Sequence, residues 1–182
     1  MLPTNLKEDL GFVMSLLKLE LKDRLVVQGH GRRSTSKLIS SIDFDIKVAA
    51  TILVGSMYME DYYVFVDKGV KASRIPYKRG GPQRGGTSKY IQGLIRYFRL
   101  KRGLNPTEAK RAAFATANKH KQEGMPTRAS FKYSRDGTRL GFLTDTLKKY
   151  DQDAVRILER RVGDSAELTL TTILNEIQKE LV

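Results

Sequence analysis

The chain has 182 residues, 40% of them hydrophobic, enough for one domain with a modest core, and its formal charge of +13, from 33 Lys and Arg against 20 Asp and Glu, suits a polyanion or an acidic neighbouring surface. The absence of cysteine excludes disulfides and thiolate metal sites, and the two histidines, His30 and His120, lack partners at helical ligand spacing, which removes the usual zinc patterns. No apolar run approaches the roughly 18 residues of a membrane span, and Met1 to Leu10 lacks the basic-then-apolar order of a secretory signal, so a soluble chain made inside the cell, with no membrane partner, is expected.

Asn5 followed three places later by Glu8 has the form of a capping box, and Leu6, Leu10, Val13 and Leu17 at helical spacing predict a first helix of about 18 to 20 residues, ended by Gly29 and Gly31. Gly29 to Ser41 is polar and basic. Ile42, Phe44, Ile46, Val48, Ile52 and Val54 then take one set of positions, and Asp43, Asp45, Lys47 and Thr51 the other. This predicts half-buried β structure, as one long strand or as two strands with a bend near Ala49 and Ala50. From Met59 the period changes: Met59, Tyr62, Tyr63 and Val66 share a helical face and Gly69 can be the left-handed residue past its end. A short helix is predicted, with a strand as the rival. Between Val70 and Ser88 prolines, glycines and basic residues alternate without period, which predicts an extended basic arm over about 70–88.

A basic helical pair follows over 88–124. Ile91, Leu94, Ile95 and Phe98 form the inner face of its first helix, which stops near Gly103 and carries Lys89, Arg96, Arg99 and Lys101 outward. Asn105 as N-cap, Pro106 in the first turn and Glu108 three places after the cap start the second, and Gly124 with Pro126 stops it. Its predicted buried face, Ala109, Ala112, Ala113 and Thr116, is small enough for close packing on the preceding helix. Met125 to Gly141 is turn-like, with a short extended piece expected at Ser130 to Tyr133. Leu143, Leu147, Tyr150, Ala154 and Ile157 mark another helix, interrupted at Gly163, and Asp164 with Glu167 caps a C-terminal helix over 164–182 bearing Leu170, Ile173, Leu174, Ile177 and Leu181. The whole predicts an α+β fold in a single domain, 1–182: a small antiparallel sheet packed against several helices, with a long basic arm.

Catalytic signals are weak. Gly81 and Gly86 have the spacing of a phosphate-binding loop, but Thr87 stands where the lysine should be and no apolar strand leads in. Asp43 and Asp45 could pair on a metal, as in a nuclease, but alternate solvent-facing positions on a strand account for them. His120 lies between Lys119 and Lys121 near a helix end, where a solvated or dipole-interacting role is expected, and His30 sits in a glycine turn. Neither a catalytic residue nor a cofactor or metal site is assigned. Charge segregation is the stronger signal. Nineteen of the 33 basic residues lie between Lys68 and Arg139, against three acids, Glu108, Glu123 and Asp136, giving that stretch about +16. Tyr77, Tyr90, Tyr97, Phe131 and Tyr133 are interleaved. The surface assigned to a partner or to DNA comprises Lys71, Arg74, Lys78, Arg79, Arg84, Lys89, Arg96, Arg99, Lys101 and Arg102.

Three short signatures in order resemble the tailed-phage minor tail, tail-completion and head–tail neck-ring proteins. They are Ser36-Lys37-Leu38-Ile39-Ser40-Ser41-Ile42 leading into a strand, Tyr62-Tyr63-Val64-Phe65-Val66-Asp67-Lys68-Gly69, and Gly124-Met125-Pro126-Thr127-Arg128 followed by Phe142-Leu143 and a helix. Each is short and degenerate, and their order carries the likeness over about two thirds of the chain. The enlarged pair from Ser88 to Gly124 and the extension from Asp164 to Val182 are more similar to the neck-ring proteins of crAss-like phages. The resemblance implies a virion structural protein of the neck or tail, assembled in the host cytoplasm. It also implies a homo-oligomeric ring around the DNA channel, contacts with portal, other neck or tail proteins, nonspecific contact with packaged DNA, and no catalysis. The charge alone admits a second function, a sequence-nonspecific nucleic-acid-binding protein.

Overall fold

The computed structural model describes residues 6–31, 36–49, 52–78, 88–150, 155–157, 159–160 and 163. Among them the molecule is mostly helical, with one two-stranded antiparallel sheet against helices, an α+β fold. Contacts group the chain into two compact units, one within Met1–Tyr63 and Gly141–Val182, the other within Val64–Leu140.

In the first unit α1 spans Leu6–Val27. Its end is a Schellman motif: Gly29 N–H donates to Val26 O at 3.0 Å and His30 N–H to Leu25 O at 2.9 Å, which Gly29 permits at φ 74°. Asn5, the expected cap, lies outside the described residues. The polar stretch after the helix contains an element that periodicity did not reveal, α2 (Lys37–Ser41), with Ser36 Oγ accepting from Ile39 N–H at its start. Leu38, Ile39 and Ile42 are buried there, as are Leu21 and Leu25 of α1, and Phe142. Each such side chain contributes about 1.5–3 kcal/mol by leaving water.

Two strands form, β1 (Asp43–Ala49) and β2 (Ile52–Tyr58), in register Ala49↔Ile52 through Asp43↔Tyr58. The connection is therefore residues 50 and 51. Paired residues share a face, so Phe44, Ile46 and Val48 lie with Met57, Gly55 and Leu53, not with Ile52 and Val54. The expected single apolar set across both strands is corrected: Ile52 and Val54 belong to the opposite face and are exposed, with Tyr58. The face bearing Ile46 and Gly55 meets α1. A Cβ on Gly11 would stand 3.6 Å from Ile46 Cδ1, and one on Gly55 would stand 3.0 Å from Met14 Sδ. The helix after Gly141 runs over residues 142–150, opened by Asp145 N–H on Gly141 O at 2.9 Å. Gly163, expected to interrupt helix, is itself helical, because glycine inside a helix costs stability without forcing a break. The expected terminal helix lies outside the described residues.

The second unit begins within α3 (Tyr63–Lys68), at Val64; this is the predicted short helix, ended by Gly69 at φ 71°. Val70 and Met125 then exchange both backbone hydrogen bonds, at 2.7 and 2.8 Å. The flanking glycines make this approach possible: a Cβ on Gly124 would meet Val70 O at 2.6 Å, and one on Gly69 would meet Met125 O at 2.5 Å. α4 (Lys89–Arg102) runs from its Ser88 cap to Gly103 at φ 67°, and α5 (Pro106–Glu123) starts on a complete capping box of Asn105 and Glu108. The two helices pack together. The buried stripe of α5 is Ala109, Ala113 and Ala117, each 0% exposed, whereas Ala112 and Thr116 are only half-buried. Arg128–Tyr133 is a 3₁₀ helix and not the expected extended piece. Ser130 and Ser134 hydroxyls donate to the carbonyls three residues back, Thr127 and Phe131, which favours the tight helical turn over a strand.

Candidate interaction surface

The segment expected to project as an arm is anchored over its described part. Ile75 is buried, Tyr77 stacks at a tilt on Phe114 of α5 with ring centroids 6.3 Å apart, and Lys121 Nζ donates to Ile75 O at 3.2 Å. Residues 70–78 thus lie along α5, and Lys71, Arg74 and Lys78 are presented to solvent from a held backbone. Arg79, Arg84 and the glycine spacing at Gly81 and Gly86 lie outside the described residues.

On α4, Lys89, Arg96 and Arg99 share the outward stripe opposite Leu94 and Phe98, while Lys101 and Arg102 occupy the last turn, where cations favour the helix dipole. All five are exposed, as are the three bases of the 70–78 segment. None of these eight has an ion-pair partner among the described residues. Beside the arginines of α4 opens a groove of about 610 Å³, bordered by Ile95, Leu100, Leu104 and Pro106. Leu100 is 69% exposed. The sequence signalled the arginines by charge but not Leu100 and Leu104, because Leu100 falls outside the i, i+3, i+4 apolar set of α4 and reads there as an isolated surface residue.

Asp43 Oδ1 accepts from Lys18 Nζ at 2.8 Å, and that ammonium first, then the Phe44 N–H, hold its carboxyl below the usual range. Asp45 is exposed on the same face. Among the described residues no group of three or more histidines and acids could hold a metal ion. His120, in the last turn of α5, is half-buried rather than fully solvated. Its Nδ1 lies 2.6 Å from the Tyr90 hydroxyl, joining α5 to α4, and partial burial pushes the imidazole pKa down and the Tyr90 pKa up. Glu123, accepting from the Arg128 N–H at 3.0 Å and from Lys119 at 3.2 Å, is held below the usual carboxylate range, the backbone bond being the larger cause.

Comparison with models of protein families, with curated proteins and with solved structures finds no match. Among the described residues no helix is long and apolar enough to cross a membrane.

Proposed function

We propose that the chain is a non-catalytic structural subunit of a tailed-phage particle, part of a neck, head–tail connector or tail-completion ring. In this role it binds neighbouring ring, portal or tail proteins around the DNA channel. The observation that carries the proposal is the set of eight exposed basic side chains, without ion-pair partners among the described residues, on the rigid frame of α4, α5 and the segment laid along α5. Surface of one sign on held backbone needs no further ordering of the chain when an acidic partner arrives, so only side-chain freedom is lost.

The ordered signatures support the same role. Their residues sit at junctions: Ser36 caps α2, Gly69 ends α3, Gly124 admits the Val70 carbonyl, and Phe142 is buried at the start of a helix. Such residues specify a scaffold and supply no reacting group. Phage made without this protein should accumulate filled heads lacking tails. Normal tailed particles would remove the proposal.

A second function, sequence-nonspecific nucleic-acid binding, is favoured by exposed Tyr97 and Tyr133 beside the arginines and lysines. It requires the free chain to retard DNA at about 50 mM salt, with affinity falling steeply as salt rises. The leucines beside Arg96 and Arg99 favour the protein partner, since a phosphate backbone has no use for them.

A further inference from the structure

The geometry points to the groove at the C-terminal end of α4 as the seat for residues 164–182 of a second copy of this chain. This contact presupposes the ring-subunit role proposed above and names its occupant. Arg96 and Arg99 border the groove with Gln92, Ile95, Leu100, Leu104 and Pro106, so cationic and apolar side chains share one opening of about 610 Å³. A ligand that satisfies both needs carboxylates and apolar side chains in close order. The chain carries such a segment. Residues 164–182 hold Asp164, Glu167, Glu176 and Glu180 against one base, Lys179, and Leu170, Ile173, Leu174, Ile177 and Leu181 recur at helical spacing. An amphipathic segment laying its apolar anchors into a groove, with its acids on flanking arginines, is an established mode of recognition.

The first unit has a rival groove of about 350 Å³, bordered by Leu17, Leu21, Met57, Tyr63 and Leu143 among others, but none of the described residues that border it is basic. It cannot select an acidic segment over any other apolar one. Groove and segment are different surfaces of one chain, so a contact that passes from each subunit to the next is heterologous and closes into a ring when the rotation allows, whereas reciprocal exchange between two copies would stop at a dimer.

Sedimentation velocity of the full chain tests this at about 50 mM salt, where surface charges are least screened. Concentration-dependent association is expected. The exposed pair Arg96→Glu with Arg99→Glu, and separately Glu176→Lys with Glu180→Lys, should each weaken it by about tenfold or more. Mixing the two reversed variants should restore association, because the introduced carboxylates then face the introduced ammonium groups on different chains. A native chain that stays monomeric, association untouched by either reversal, or a mixture as weak as its components overturns the assignment. Particle assembly separates this failure from that of the parent proposal: tailless heads on deletion keep the subunit role even if the groove is unused.

Discussion

Tyr90 and His120 show how one contact carries information that flanking residues conceal. Lysines on both sides of His120 suggest a solvated ring, yet a helix turns about 100° per residue, so neighbours in sequence face different ways and His120 points to α4. Its folded pKa lies below the ordinary 6.5, so the folded state binds the proton less readily than the unfolded one. The stability that the fold has with the buried His120 ring neutral is therefore whole above about pH 6.5 and declines as the pH falls through the lowered folded value. Tyr90→Phe should cost about 1 kcal/mol at pH 7.5 and leave the burial-driven pH dependence below 6.5 in place, read from urea midpoints across pH. At Gly124, φ 84° and the 2.6 Å approach of Val70 O leave no room for a methyl group. Gly124→Ala should destabilise by more than about 1 kcal/mol and expose the Val70 amide to hydrogen exchange.

At the scale of elements, starts and stops were legible because capping is local chemistry. Asn105, Pro106 and Glu108 announced α5, and Ser88 and Gly103 bracket α4 as their types suggest. Asn105→Ala should lower stability by about 1 kcal/mol, measured by urea unfolding. What the sequence hid depends on pairing or on short-range competition. With two residues between the strands, even-numbered positions pair with odd ones, so the apolar alternation of β1 cannot continue in phase into β2. Serine back-bonding turned Ser130–Tyr133 into a 3₁₀ helix, and α2 was too short for its period to show. The alanine stripe of α5 was recognised but shifted, with Ala117 completing a spacing of four. Ala113→Leu should overpack the α4–α5 contact and cost about 1–3 kcal/mol.

Across the molecule, the strongest sequence signal, about +16 between Lys68 and Arg139, falls wholly within the unit Val64–Leu140. Segregation of charge was legible from residue counts. The groove was not, because it needs Leu104 and Pro106 brought beside Arg96, Arg99 and Leu100 by the turn between two helices. That conjunction moves the account from a general polyanion binder toward a subunit that clasps protein. Binding to an acidic partner should weaken as salt rises but persist through its apolar part, whereas binding to DNA alone would decay along a steep logarithmic slope. The most direct measurement is a cryo-electron microscopy map of the finished phage particle at side-chain detail. Arg96 and Arg99 are expected to lie against carboxylates of a neighbouring protein chain. Finding them turned to open solvent in every copy contradicts it.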